Sequence, residues 1–171
     1  METHYRAVCK EADLEREDLA WRCIEPALLA VKAKSAEVKA NIYERLNAGQ
    51  KALYLFYAFH NHAGTRAEFY WFTYYYLYVL PAWPGLKEGL AFFGDQPLLR
   101  LLEEAELLVE EHTRGADGAR REASPSDLDA DASLGEAADR LFSRYGALAG
   151  ETIGRMNAYI RAHPAEFLRL E

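Results

Sequence analysis

Residues 69–78 read Phe-Tyr-Trp-Phe-Thr-Tyr-Tyr-Tyr-Leu-Tyr and form the densest aromatic run of the chain. They belong to a wider segment, residues 52–86, that holds thirteen of the twenty-two aromatic residues but only two charged ones, Arg66 and Glu68. A surface helix keeps one polar face, so a segment that is aromatic on all sides has to be enclosed by protein or covered by a partner. This segment therefore predicts the centre of the fold.

Around the aromatic segment the sequence carries helical periodicity and almost no strand signal. Apolar residues recur at three- and four-residue spacing, with no sustained alternation and no hairpin turn. We predict an all-α, single-domain multi-helix bundle over residues 1–171 with a central aromatic-rich helix pair. Residues 113–133 are small, polar and charged, and we expect them to form an exposed, mobile loop.

Proline and capping residues predict where the helices begin and end. Pro26 fits a first-turn position, which predicts a helix that opens there and ends near Gly49. The aromatic helix is expected to begin at Arg66 and to end at Leu80, before Pro81. Asp95 is expected to cap the helix that follows.

The charge distribution disfavours direct binding of nucleic acid. The net charge is −7, and residues 95–171 carry nine basic against sixteen acidic groups, so the whole excess lies in this half. Contacts to phosphates need a basic face. An acidic half favours a basic protein partner, or serves solubility alone.

The acidic residues of this half concentrate in two runs. The first comprises Glu103, Glu104, Glu106, Glu110 and Glu111, and the second includes Asp127, Asp129 and Asp131. Glu103, Glu106 and Glu110 share one helical stripe by their spacing. One interpretation is a solvated helix face with a solubilising loop. The other is a docking surface for a basic protein, with carboxylates spaced like the phosphates of DNA.

The polar residues inside the aromatic segment lie close to one helix junction. His60 and His62 are two residues apart and point to nearly opposite sides of a helix, so they do not form a metal pair. With Asn61, Arg66 and Glu68 they form either a satisfied polar junction or a ligand-binding, acid–base pocket. Catalytic and cofactor motifs are missing from the sequence, so we expect a protein without enzymatic activity, cofactor or metal.

The aromatic residues themselves allow two roles. They are expected to fill the core, and their excess for a domain of this size favours burial against a second copy of the chain, since C2 dimers are the commonest oligomers. The residues assigned to this core and dimer face are Phe69, Trp71, Phe72, Tyr75 and Tyr76.

The cellular location is predicted from three features. The first six residues lack a basic-then-apolar export signal. Cys9 and Cys23 form no Cys-x-x-Cys pair and suit a reducing cytoplasm as free thiols. Residues 67–83 include Glu68, Thr73 and several tyrosines, so they do not resemble a membrane span. We therefore expect a cytoplasmic protein with no membrane contact.

Three blocks of the sequence resemble a known family. Residues 46–54 read Leu-Asn-Ala-Gly-Gln-Lys-Ala-Leu-Tyr, residues 85–90 read Gly-Leu-Lys-Glu-Gly-Leu, and residues 159–167 read Tyr-Ile-Arg-Ala-His-Pro-Ala-Glu-Phe. Their order and spacing over residues 40–168 resemble the DNA-mimic-protein family of bacterial all-helical domains. In that family one member is an acidic dimer that occupies the DNA-binding face of a transcription factor. The resemblance implies a non-catalytic, regulatory protein that binds a basic DNA-binding protein and acts as its inhibitor.

Overall fold

A computed structural model describes residues 5–171, and helices make up most of this part of the chain. The predicted all-α class is confirmed. Residues 1–4, which belong to the stretch inspected for an export signal, lie outside the described residues. No helix within residues 5–171 combines the length and the apolar character needed to cross a membrane. The helices are α1 (Leu19–Val31), α2 (Ala36–Glu44), α3 (Ala48–His60), α4 (Arg66–Tyr74), α5 (Trp83–Phe92), α6 (Gln96–Thr113), α7 (Asp127–Ala130), α8 (Ala132–Ala162) and α9 (Pro164–Phe167).

The centre of the fold is aromatic, as the sequence predicts. Helix α3 packs against α1 and α5, while α6 packs against α8. Phe59 of α3 is 1% exposed, and its ring touches those of Phe69, Tyr76, Trp83 and Tyr145 at centroid distances between 5.7 and 6.0 Å. Edge-to-face contacts at such distances contribute beyond the apolar area they bury, by about 0.5–1.5 kcal/mol each.

Glycines in two of the three sequence blocks mark close contacts between the blocks. A Cβ atom at Gly49 would lie 2.5 Å from the ring of Phe167, and one at Gly89 would lie 2.9 Å from the Cα of Ala52. The side-chain amide of Asn47 also donates a hydrogen bond to the backbone carbonyl of Glu166 at 2.6 Å. The first block therefore contacts both of the others in the core.

Helix α1 differs from the prediction. Pro26 lies inside it, on the exposed side, and does not open a new helix. An apolar stripe continues across the proline and holds the helix against the core, which outweighs the lost backbone hydrogen bond. The buried residues of this stripe are Leu19, Ala20, Cys23, Ile24, Ala27 and Val31. The break comes later, at residues 32–35, where Ala33 adopts a left-handed conformation with φ +57°.

The aromatic helix α4 also departs from the predicted regular helix to Leu80. Its α-helical part stops at Tyr74, and residues Tyr75–Val79 form a π-helical turn, here called the π-turn. The N–H of Leu80 donates to the carbonyl of Tyr75 at 2.8 Å, a five-residue span. Such turns are rare and recur at functional sites.

Two short strands were not predicted. β1 (Ala7–Cys9) pairs in parallel with β2 (Leu168–Leu170), which joins the two ends of the described chain. Three residues are too few to show the two-residue alternation by which a strand is recognised.

The segment 113–133 is mostly exposed, but it is anchored at several points. Thr113, Ala123 and Leu128 are buried, and Leu128 lies in α7. Ala123 and Leu128 pack with Tyr70 and Val109 in a second apolar cluster. From Ala132 the chain continues as one uninterrupted helix, α8, to Ala162.

Candidate functional site

The acidic face of α6 is partly neutralised by the protein itself. The carboxylate of Glu104 accepts two hydrogen bonds from the guanidinium of Arg144 on α8, at 2.6 and 2.9 Å. Hydrogen bonding to Arg144 lowers the pKa of Glu104. Glu110 pairs with Arg114, one turn further along α6.

Glu106 has a structural position. One of its carboxylate oxygens accepts hydrogen bonds from the indole N–H of Trp83 and from the ammonium group of Lys87, both at 3.0 Å. Trp83 is only 1% exposed, so this carboxylate satisfies a buried donor. The stripe predicted from Glu103, Glu106 and Glu110 is therefore not a uniform free surface.

Two acidic residues of α6 stay unpaired within the described chain. Glu103 and Glu111 are exposed and form no ion pair with residues 5–171. They flank Leu107, which is 57% exposed and lies one turn from each. Beside this stripe runs a shallow groove of about 370 Å³ between α6 and α8, with Leu107 and Leu141 among its lining residues.

The second acidic run anchors the segment in which it lies. Asp127 accepts hydrogen bonds from the hydroxyl of Tyr70 at 3.0 Å, the guanidinium of Arg121 at 2.8 Å and the backbone N–H of Ser124 at 3.0 Å. Burial alone would raise the pKa of Asp127, but these donors together lower it. The other two predicted residues also have partners on the molecule: Asp129 lies 3.5 Å from Arg66, and Asp131 caps α8 through the N–H of Leu134.

The five residues of the predicted polar junction do not form one network. His60 contacts the Tyr145 hydroxyl at 2.8 Å, while the ring of His62 stacks on Phe72 at 4.7 Å. Arg66 pairs with Asp139 at 2.8 Å, and Glu68 accepts the N–H of Gly64 at 3.1 Å. Within residues 5–171, no group of three or more His, Cys, Asp or Glu side chains is arranged to hold a metal ion.

Asn61 and His62 instead line a cleft that sequence reasoning did not identify. This cleft, of about 610 Å³, lies between α1, α2, α3 and the π-turn. Its walls are mainly aliphatic and aromatic and include Trp21, Leu28 and Tyr54. The volume lies within the range of roughly 300–1,000 Å³ that is typical of small-molecule sites. His60 and Glu68, which the sequence grouped with Asn61 and His62, are not among its lining residues.

Tyr76 is the most unusual residue of the cleft. It is 6% exposed and lines the cleft, but its hydroxyl forms no hydrogen bond with the described residues. The hydroxyl is also not among the fully buried polar atoms that lack a partner, so it keeps some contact with solvent. Burial, followed by the nearby Tyr54 and Tyr75, raises the pKa of Tyr76 to about 12. The phenol therefore keeps its proton at neutral pH.

Two backbone irregularities meet at the same cleft. Tyr76 lies in the π-turn, and Ala33, with its left-handed backbone, also lines the cleft. Strained or irregular backbone clusters at ligand sites in proteins. Sequence signals could not have indicated Ala33, because no glycine or asparagine marks the position.

The residues predicted for the core and dimer face separate into two groups. Phe69 and Tyr76 are buried in the core, whereas Trp71, Phe72 and Tyr75 are half-buried. The rings of Trp71 and Tyr75 stack at 5.1 Å. Val79, four residues after Tyr75, is 55% exposed and extends this aromatic surface.

Compared with known proteins, the chain matches no family model, no curated protein and no solved structure. The resemblance to the DNA-mimic-protein family stays a prediction from the sequence. Any function has to follow from the geometry of the cleft and of the acidic helix.

Proposed function

We propose that the protein is a non-catalytic binding protein that holds an elongated apolar molecule in the cleft between α1, α2, α3 and the π-turn. The observation that carries the proposal is the largely apolar cleft of about 610 Å³, together with Tyr76, which lines it at 6% exposure and whose hydroxyl has no hydrogen-bond partner among the described residues. Polar groups at such positions normally have a hydrogen-bond partner. A bound molecule that offers an acceptor supplies one.

The chemistry of the cleft favours binding over catalysis. No carboxylate or thiol is among the described residues that line it. His62, Lys32 and Lys39 do line it, but no hydrogen bond joins any two of these three side chains as an acid–base pair would require. Apolar walls with a few polar groups are the usual composition of a binding pocket.

The test uses a neutral, apolar dye such as Nile red, whose fluorescence rises when it leaves water. We expect saturable binding to the native protein. Ala58 lines the cleft on α3, and Ala58→Trp fills the space that the ligand occupies, so it should weaken dye binding by about tenfold or more.

Ala147→Trp is the matched control, since Ala147 is exposed on α8 and lies away from the cleft. Thermal melting of both variants establishes that they fold. Equal dye binding by native protein and folded Ala58→Trp would overturn the proposal.

A second candidate function is the binding of a basic protein through α6, as the family resemblance implies. The observation that favours it is Leu107, 57% exposed between the unpaired carboxylates of Glu103 and Glu111. Leu107 lines one groove together with Leu108 and Leu141, so it belongs to a continuous apolar contact surface, and opposite charges steer a partner onto it. The carboxylates that are paired within the chain contribute less, because cations already neutralise them.

This candidate is tested by capture from lysate at low and high salt. High salt screens the charges and should release the partner. Glu103→Gln combined with Glu111→Gln should lose the same partner at low salt, because the two carboxylates that steer it have been removed. Glu136→Gln with Glu151→Gln is the control, since both residues are exposed on α8 and unpaired within residues 5–171. A photo-crosslinking residue at position 107 identifies the contact. If both double variants capture the same partners equally well, the protein does not bind a basic partner through Glu103 and Glu111.

The assembly and location are proposed on separate grounds. A homodimer is supported by the half-buried aromatic pair Trp71 and Tyr75 with the exposed Val79 beside it. A cytoplasmic location is supported by Cys9 and Cys23, which are buried free thiols.

A further inference from the structure

We infer that the cleft selects a molecule with an anionic group at one end, which Lys32 and Lys39 hold. This inference rests on the proposed binding function of the cleft and specifies its ligand. The class of ligand is an unbranched amphiphile: a long apolar chain that carries a single carboxylate or similar anion.

The lining of the cleft runs along α1. Trp21 lines the cleft near the start of this helix, and Lys32 lines it directly after the end. Eleven residues separate them, which corresponds to roughly 16 Å along a helix axis. An extended chain can follow this wall.

The two ends of the cleft differ in polarity. The ring of Trp21 lies 5.3 Å from that of Tyr57 on α3, one helical turn before Asn61, so Asn61 and His62 lie at the Trp21 end. Lys32 and Lys39 belong to the other end, where α1 stops and α2 begins. The cleft thus has one end with Asn61 and His62 and another end with two lysines.

The two lysines lack partners on the described chain. Lys32 and Lys39 are exposed at the rim of the cleft and form no ion pair with residues 5–171. Two other lysines are paired: Lys51 with Glu44, and Lys87 with Glu106. Residues 32–45 contain four basic and two acidic groups, although the chain as a whole is acidic.

These charges complement an anion at the mouth of an apolar cleft. No carboxylate is among the described lining residues to compete for the lysines. An ammonium group on a flexible stem keeps its charge in water while its methylenes cover apolar surface. An amphiphile therefore places its chain against Trp21 and Leu28 and its anion between the two lysines.

The experiment compares three probes of equal chain length, all below their micelle concentrations. Dodecanoate is anionic, dodecanol is neutral and dodecyltrimethylammonium is cationic. Each is titrated against the native protein saturated with the neutral dye, and displacement is measured. We expect dodecanoate to bind about tenfold more tightly than dodecanol, the contribution of two solvent-screened charge pairs, and the cation to bind most weakly.

Two lysine variants locate the charge effect. Lys32→Gln with Lys39→Gln should reduce dodecanoate binding to the level of dodecanol and leave dodecanol unchanged. Lys34→Gln is the control, because Lys34 lies between them in sequence but does not line the cleft. An unchanged preference for dodecanoate in the double variant would overturn the inference.

The outcomes separate this inference from the proposed function. If dodecanol and dodecanoate displace the dye equally well, the anionic selectivity is wrong while the apolar cleft still binds. If none of the probes displaces the dye and the dye itself does not bind, both are wrong.

Discussion

The Nδ1 atom of His60 lies 2.8 Å from the hydroxyl oxygen of Tyr145, and this contact links α3 to α8 across the aromatic core. The imidazole also stacks on the ring of Phe56 at 5.2 Å. Burial lowers the pKa of His60 and raises that of Tyr145, so both groups are held in their neutral forms. The histidine that resembled a metal ligand in the sequence therefore acts as part of the core.

This relationship predicts a pH dependence of stability. In the unfolded chain His60 takes up a proton near its ordinary pKa of 6.5, whereas the folded protein does so only at lower pH. The stabilisation is therefore complete above pH 6.5 and is lost as the pH falls towards the lower folded pKa. Urea unfolding at several pH values should show this loss, and His60→Gln should flatten it. His163→Gln, at an exposed position, should keep the native slope.

Glu106 is predicted to contribute to stability rather than to partner binding. Glu106→Ala leaves the buried indole N–H of Trp83 without its acceptor, which should lower the free energy of unfolding by about 1–3 kcal/mol. Glu103→Ala, on the same helix but exposed and unpaired, should change it by less than about 0.5 kcal/mol. Equal effects of the two substitutions in urea unfolding would contradict the assignment.

Ala33 is predicted to store backbone strain beside the cleft. Ala33→Gly removes the left-handed penalty and should stabilise the protein by about 0.5–1 kcal/mol, despite the greater freedom of glycine in the unfolded chain. Ala147→Gly, in the exposed middle of α8, should instead destabilise the protein by about 1 kcal/mol. Destabilisation by both glycines would show that the left-handed conformation is wrong.

Asp127 is predicted to hold the segment 113–133 in place. Asp127→Ala removes the acceptor of three hydrogen bonds, so hydrogen exchange of the backbone amides around Ser124 and Leu128 should become faster. Because the pKa of Asp127 lies below its ordinary 3.8, the anchoring present above that pH should be lost as the pH falls through the lower folded value. Asp129→Ala, at a more exposed carboxylate, is the control. If the hydrogen exchange of these amides is unchanged in Asp127→Ala, Asp127 does not anchor the segment 113–133.

The proposed dimer predicts a concentration-dependent mass in sedimentation velocity. Val79→Lys introduces a charge into the aromatic surface of Trp71 and Tyr75 and should shift the protein to monomer. Val38→Lys changes another exposed valine, on α2, and should leave the assembly intact. A native protein that stays monomeric at every concentration would rule out the dimer.

The sequence predicts much of the fold because its strongest signals are local. Asp95 caps α6 through the N–H of Leu98, and Phe59 and Phe69 lie in the core, as periodicity and capping rules indicate. Pro26 misleads because tertiary burial of Ile24 and Ala27 outweighs the local preference.

The functional geometry is less accessible to sequence reasoning, since it depends on contacts between distant elements. Charge spacing on α6 could not reveal that Glu104 would meet Arg144, forty residues away. Likewise, no local pattern predicts that the π-turn at Tyr76 and the bend at Ala33 would face one cleft.

The most direct test of the central claim is solution NMR of the protein with bound dodecanol. We expect intermolecular NOEs between the methylene protons of the ligand and the ring protons of Trp21 and Tyr76. NOEs confined to other surfaces, such as the Leu107 groove, would contradict it.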